Sequence, residues 1–174
     1  RTRCSENSSS RYVSTIRRSS AGSNAPANQD LSSFVATNKE ILKYAREDPQ
    51  MMYNLLVQLR WEKRPLNAVN VATIFHASAK TPDILTPDVM DYLTDSLQRV
   101  DGFDARAIGN ACYGLQGLKD SPLVHRVLDA MASKVKDCLT DFNAQQVGNA
   151  LYGLQNLRDS QSARRLVHAL QPKV

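Results

Sequence analysis

The amino-acid sequence predicts an all-α protein in which helical hairpins stack side by side into a superhelix, an α-solenoid with a 39-residue period. The main observation is a repeat, because residues 108–118 (IGNACYGLQGL) return 39 positions later as residues 147–157 (VGNALYGLQNL). A weaker copy at residues 69–79 precedes them by the same interval, and one alanine stays in register in all three copies: Ala72, Ala111 and Ala150. Such a period is typical of repeat arrays, in which each unit buries its apolar face against a neighbour.

The composition agrees with packed helices. The chain has 174 residues, of which 42% are hydrophobic and 6% are aromatic, and this supplies enough apolar surface for one domain core. No stretch approaches the roughly 18 to 20 apolar residues that a membrane-spanning helix needs. The net charge of +5 permits contact with nucleic acid or with acidic protein surfaces and specifies neither.

Three widely spaced cysteines, Cys4, Cys112 and Cys138, include no CxxC pair. A disulfide framework or a structural zinc site is therefore not expected. Cys112 occupies the position that Leu151 fills in the next copy, so we interpret it as a small core residue in a reducing compartment.

Residues 1–30 form a Ser- and Arg-rich basic arm that contains only two acidic residues and shows no apolar periodicity. This composition is typical of an organellar transit peptide or its remnant, and it is also typical of a disordered basic arm. Because the arm has too little apolar surface to order itself, we expect a partner, either protein or RNA, to order it.

Helical periodicity begins at Leu31. Residues 31–65 are predicted to form a helical pair, either a divergent repeat or an N-terminal cap, with Pro49 in the first turn of its second helix. Residues 66–174 are predicted to form three hairpins, of which the last is truncated. Their helices are expected at residues 66–80 and 86–100, 104–118 and 122–139, and 143–157 and from 162 onwards, with Asp104 as an N-cap.

Four glycines recur within the predicted first helices: Gly109, Gly114, Gly148 and Gly153. They follow no strand, so they do not indicate a phosphate-binding loop. Glycine inside a helix costs about 0.5–1 kcal/mol relative to alanine, and we expect close helix–helix approach to compensate for this cost.

No pattern in the sequence indicates catalysis. The three histidines, His76, His125 and His168, are isolated and lack the HxxxH or HExxH spacing of metal sites. No GxSxG or Walker sequence occurs. We therefore expect a protein that is not an enzyme and that holds neither a metal nor a cofactor.

One face of each predicted first helix carries polar and aromatic side chains opposite its apolar stripe. These are Arg106, Asn110 and Tyr113 in the second hairpin, and Gln145, Asn149 and Tyr152 in the third. A constant Asn and Tyr beside a varying residue (Asn67, Arg106 or Gln145) suits reading one nucleotide per repeat, with tyrosine stacked on a base. The alternative, which we favour for the tyrosines and asparagines, is that they pack and bond between units. Arg106 is the better ligand candidate, because burying an unpaired arginine is costly.

Basic residues of the second helices and turns form a second candidate surface, because they recur 39 positions apart. The rows are Lys119 and Arg158, Arg126 and Arg165, and Lys134 and Lys173. Such rows are suited to following a phosphate backbone. For any single lysine, an ordinary solvated face is the simpler interpretation.

The repeated sequences IGNACYGLQGL and VGNALYGLQNL, together with LNAVNVATIFHASAK at residues 66–80, resemble the first helix of octotricopeptide and related RAP-associated helical-hairpin repeats. The resemblance covers residues 66–174, although Tyr113 and Tyr152 stand where many of those first helices have tryptophan. It implies RNA binding along a concave face and a role in organellar RNA metabolism or ribosome assembly.

Two functional hypotheses follow. The first is a non-catalytic RNA-binding helical-repeat protein, nuclear-encoded and imported into a mitochondrion or plastid. The second is a scaffold subunit of a large organellar complex, such as a ribosome or a photosynthetic supercomplex, which binds through protein contacts and its N-terminal arm. Nucleotides in contact with Arg106, Arg126 and Arg165 would support the first hypothesis, and apolar protein surfaces there would support the second.

Overall fold

The described part of the chain is entirely helical. A computed structural model describes residues 31–173, which form eight α-helices and no β-strand, so the predicted all-α class is confirmed. The helices are α1 (Leu31–Glu47), α2 (Pro49–Trp61), α3 (Ala68–Ser78), α4 (Pro87–Arg99), α5 (Ala105–Tyr113), α6 (Pro122–Asp137), α7 (Ala144–Gly153) and α8 (Gln161–Leu170). Residues 1–30 and 174 lie outside the described residues, and so do the predictions about the basic arm.

The helices form two layers. In the odd layer, α1 packs against α3, α3 against α5 and α5 against α7. In the even layer, α2 packs against α4, α4 against α6 and α6 against α8. Consecutive helices therefore lie in opposite layers, and the pair α1 and α2 extends both layers at one end.

A single apolar core receives side chains from all eight helices. Its largest fully buried members include Phe75 of α3, Ile108 of α5 and Met131 of α6. Burying a side chain of this size stabilises the fold by about 1.5–3 kcal/mol. Since no single hairpin buries the apolar faces of its own two helices, the core depends on contacts between hairpins.

Side-chain caps start most of the helices where the sequence predicts them. Asp104 accepts a hydrogen bond from the Ala107 amide at 2.7 Å, which confirms it as an N-cap. Asn67 and Asn143 cap α3 and α7 in the same way. Proline occupies the first position of α2 and of α6, because its missing N–H is not needed there.

The repeat register is not constant along the chain. The N-caps of α5 and α7 are 39 residues apart, whereas those of α3 and α5 are 37 residues apart. Ile74 therefore corresponds to Ala111, and the predicted register for Ala72 is wrong by two residues. The hairpins differ in length because α4 has 13 residues and α6 has 16, a difference that the weak sequence similarity of the first copy conceals.

Two of the first helices end earlier than predicted. The α-helical part of α5 stops at Tyr113 and tightens into a 3₁₀ turn over Gly114–Gly117, and α7 stops at Gly153. A Cβ atom on Gly114 would lie 2.1 Å from the Phe75 carbonyl oxygen, and one on Gly153 would lie 1.9 Å from the Cys112 carbonyl oxygen. Each helix end thus presses against the backbone of the preceding odd helix, which confirms the predicted close approach at these two positions.

The other two glycines differ from each other. A Cβ on Gly109 would lie 3.1 Å from the Cα of Gln146 in α7, so this glycine also faces a neighbouring helix. Gly148 is its counterpart 39 residues later, and apart from the adjoining backbone of its own helix no heavy atom of the described residues lies within 4 Å of the equivalent Cβ. The predicted close approach is therefore wrong for Gly148 in this chain.

We predict opposite effects of two glycine-to-alanine changes on the free energy of unfolding, measured by urea denaturation. Gly153→Ala should lower it by about 1–3 kcal/mol, because the new methyl group overpacks a contact with backbone. Gly148→Ala should raise it by about 0.5–1 kcal/mol, because alanine favours the helix and meets no neighbour. Equal effects of the two changes would contradict the close-approach explanation.

Candidate functional site

A column of three neighbouring aromatic rings crosses the odd layer. The ring centroids of Tyr113 and Tyr152 are 5.6 Å apart with planes inclined by 16°, and those of His76 and Tyr113 are 5.2 Å apart with planes inclined by 34°. His76 is exposed, Tyr113 is half-buried, and Tyr152 keeps 49% of its surface exposed. We call His76, Tyr113 and Tyr152 the aromatic column.

The helix caps explain why these three rings meet. Each one lies nine residues after the N-cap of its own helix, so the capped helices place them at the same height. Residues two and six positions after each cap share that helix face with the ring. The odd face, as we call it, consists of the aromatic column and of Val69, Thr73, Arg106, Asn110, Gln145 and Asn149.

Polar side chains of the odd face are free to meet a ligand. Arg106 and Gln145 are exposed, and Asn110 and Asn149 are half-buried. Within residues 31–173, none of these four side chains makes a hydrogen bond or an ion pair. The expectation that the asparagines bond backbone between units is therefore wrong, whereas Tyr113 does pack between two units.

Asn67 does not belong to the odd face. Its side chain accepts a hydrogen bond from the Asn70 amide at 2.9 Å and so starts α3. With the caps aligned, Val69 corresponds to Arg106 and Gln145, and Val69 is 54% exposed. The varying position in the three hairpins is therefore Val, Arg and Gln.

The row of Arg126 and Arg165 is occupied by ion pairs within the even layer. Arg126 Nη1 of α6 lies 2.6 Å from Asp91 Oδ1 of α4, and Arg165 Nη1 of α8 lies 3.1 Å from Asp129 Oδ1 of α6. All four side chains are about half exposed, so each pair contributes at most about 1 kcal/mol. The row ties successive helices together, and its carboxylates weaken its attraction for phosphate.

The row of Lys134 and Lys173 has a different structural role. Lys134 Nζ donates to the Gln98 carbonyl at 3.3 Å and lies 3.5 Å from Asp101 Oδ1, with 10% of its side chain exposed. Lys173 Nζ donates to the Cys138 carbonyl at 2.6 Å. Each lysine caps the C-terminal end of the preceding even helix, where cations are favoured.

Lys119 and Arg158 remain as the third basic row. Both are exposed, and neither has a partner among residues 31–173. Nearby, Asn156 Nδ2 donates to the Gln116 carbonyl at 2.5 Å and joins the two turns that precede these residues. The predicted phosphate track is therefore reduced, in this part of the chain, to Lys119 and Arg158.

His76 is the site residue that the sequence analysis missed. The sequence analysis treats it as isolated, but its ring lies against Tyr113, tilted by 34°, at the position that a tyrosine holds in the later hairpins. Aligning the caps Asn67 and Asp104, instead of imposing a 39-residue interval, would have found it.

Cys112 is a core residue, as expected. It is fully buried beneath the contact between α5 and α7, and burial raises the pKa of its thiol to about 12. The thiol therefore stays protonated at neutral pH and lacks the nucleophilic thiolate form.

The described residues suggest no other type of site. Nowhere in residues 31–173 do three or more His, Cys, Asp or Glu side chains gather in a group able to hold a metal ion. Within the same range, every helix is too short or too polar to cross a membrane. Comparison of the chain with family models, curated proteins and solved structures finds no match.

We predict that Lys134→Met lowers the free energy of unfolding by about 1.5 kcal/mol, because it leaves the Gln98 carbonyl at the end of α4 without its charged donor. Lys119→Met is the matched control, since Lys119 is exposed and has no partner in the described part of the chain. Chemical denaturation measures both effects. If the two variants are equally stable, the capping role of Lys134 is wrong.

Proposed function

We propose that this chain is a non-catalytic RNA-binding protein whose odd face binds single-stranded RNA. The observation that carries the proposal is the aromatic column, flanked by the side chains of Arg106, Asn110, Gln145 and Asn149, which have no hydrogen-bond partner within residues 31–173. Single-stranded nucleic acids are held by stacking of bases on aromatic rings and by hydrogen bonds to base edges. The aromatic column offers stacking to bases, and the polar side chains beside it offer hydrogen bonds to base edges.

The proposed architecture is an α-solenoid of helical hairpins. The two-layer packing and the 39-residue interval between the caps of α5 and α7 support it. So does the aromatic column, since rings at equivalent heights in successive helices are what a stacked array produces. Resemblance to octotricopeptide-type repeats points to the same architecture.

Four residues of the odd face have definite roles in this proposal. Tyr152 ends the column, and within the described residues a ring stacks on it from one side only, so an RNA base stacks on its other side. Arg106 lies two helical turns from Tyr113 and contacts a phosphate or a base edge. The amides of Asn110 and Asn149 supply both donors and acceptors to base edges.

A mitochondrion or a plastid is the proposed location. The Ser- and Arg-rich composition of residues 1–30 supports import into an organelle. In either compartment, a protein of this kind would act in RNA metabolism or in ribosome assembly.

We predict that Tyr152→Ala weakens binding of a fluorescein-labelled single-stranded RNA at least about fivefold, because a base loses its stacking partner. Arg106→Ala should also weaken binding and should lower the salt dependence of the affinity by about one phosphate contact. Fluorescence anisotropy at several salt concentrations measures both effects.

Arg164→Ala is the matched control for these two variants. Arg164 is exposed on α8, outside the odd face, and pairs with Asp159. Its loss should leave RNA affinity unchanged. RNA binding that is indifferent to salt, to Tyr152→Ala and to Arg106→Ala would refute the proposal.

A second candidate function, protein scaffolding, is favoured by the last hairpin. Gly148, Leu151 and Val167 form what we call the end face. Leu151 is 48% and Val167 is 36% exposed, whereas their counterparts Cys112 and Leu128 are fully buried under the next hairpin. The end face therefore has the shape and apolar character that would accept a further hairpin of the same repeat.

Extending the protein tests the end face. A chain in which a second copy of residues 135–173 follows Lys173 should gain at least about 1.5 kcal/mol in free energy of unfolding, because Leu151 and Val167 become covered. Leu151→Arg should abolish this gain and should change the stability of the unextended chain little, since the side chain is half exposed there. An extended chain no more stable than the original would count against scaffolding through this face.

A further inference from the structure

An open groove lies between the turn that follows α2 and the C-terminal half of α4. Its volume is about 940 Å³, against about 490 Å³ for the equivalent groove at the next hairpin junction. Trp61 at the end of α2 and Lys63 of the turn line one side of it, and α4 contributes Tyr92, Asp95 and Arg99. Leu66 also lines the groove. Because Leu66 directly precedes the N-cap of α3, the groove adjoins the N-terminal end of α3 in the odd layer.

The groove is open because it lacks a lysine contact that the later hairpin junctions have. Lys134 and Lys173 each reach back to the carbonyl end of the preceding even helix and fill that junction. With the caps of the even helices aligned, Arg99 is the residue of α4 that corresponds to Lys134. Arg99 instead donates from Nε to the carbonyl of Asp95 in its own helix at 3.1 Å, and it makes no contact of this kind with α2.

The groove is electropositive. Among residues 31–173, four cations line it against the single carboxylate of Asp95. Arg60 pairs with Asp88 and Arg64 pairs with Glu62 and Glu40, so those two charges are already partly neutralised. Lys63 and the terminal nitrogens of Arg99 have no acidic partner within the described range, and both side chains are exposed. Two cations are therefore available to an anionic ligand.

A large aromatic surface stands beside these cations. Trp61 ends α2 and is 83% exposed, which is unusual for the largest apolar side chain. Lys63 follows it in the left-handed conformation, with φ of 48°, and this conformation turns the chain sharply after the helix. The indole ring of Trp61 and the ammonium group of Lys63 therefore both lie where the chain turns at the end of α2.

Tyr92 holds this turn in place. Its hydroxyl donates to the carbonyl of Arg64, and burial raises its pKa to about 12, so the phenol remains a neutral donor at physiological pH. The turn is thus fixed to α4, and Trp61 and Arg99 lie on opposite walls of a preformed groove. A preformed site needs little ordering on binding.

We propose that this groove binds one unpaired nucleotide of a single-stranded RNA, with the base on Trp61 and the phosphates between Lys63 and Arg99. The planar ring favours a base over an acidic peptide, because stacking on an indole needs a flat partner. The two free cations match the charge of the RNA backbone. This inference rests on the RNA-binding function proposed above and adds a second contact outside the odd face.

Trp61 is the sole tryptophan of the sequence, so its fluorescence reports on this groove. Titrating the full chain with an octamer of uridylate should quench that fluorescence in step with binding followed by anisotropy of the labelled octamer. Trp61→Ala should weaken the anisotropy-measured affinity about fivefold or more, whereas Trp61→Phe, which keeps a ring, should restore most of it. Lys63→Ala and Arg99→Ala should each lower the salt slope by about 0.7, and Lys136→Ala, an exposed lysine of α6, should not.

The possible outcomes separate this inference from the proposed function. If the octamer binds and Tyr152→Ala weakens it, but Trp61 fluorescence and Trp61→Ala have no effect, the groove is not a nucleotide site and the proposed function stands. If the octamer does not bind at all, both fail. If an eight-residue glutamate peptide quenches Trp61 as strongly as the RNA does, the ligand class is wrong, because charge alone then accounts for binding.

Discussion

The structure depends on the close approach of successive odd helices at two glycines. At Gly114 and Gly153 the end of one helix lies against a backbone carbonyl of the helix before it, closer than any side chain permits. This contact sets the distance between α3, α5 and α7 and covers Phe75 and Cys112 completely. The helical cost of a glycine is small, about 1 kcal/mol, compared with the core burial that the contact allows.

The candidate RNA surface follows from the same spacing. Since α5 and α7 approach closely, Tyr113 and Tyr152 stack at 5.6 Å, and the side chains beside them are brought into one surface. A wider separation would leave each tyrosine as a single exposed ring. The glycines and the aromatic column are therefore linked. The backbone contacts at the glycines bring successive odd helices close together, and this close spacing places their rings against one another.

Most of the basic side chains in the candidate rows of the even layer hold neighbouring helices together and are not free to bind a ligand. Arg126 and Arg165 meet carboxylates of the preceding helix, and Lys134 and Lys173 meet carbonyls at its end. Recurrence at 39 residues is accordingly explained by a repeated structural contact. The groove beside Trp61 is the place where this contact is missing, and there Lys63 and the terminal nitrogens of Arg99 have no acidic partner within residues 31–173.

The sequence by itself determined the helical class, the cap at Asp104 and the burial of Cys112, because these depend on local spacing and on residue type. It also identified the glycines that mediate close approach, but not that Gly148 meets no neighbour. Only the tertiary structure decided the ring contact between His76 and Tyr113 and the partners of the basic rows. Each of these depends on which atoms of different helices meet, and periodicity along one chain carries no information about distances between helices.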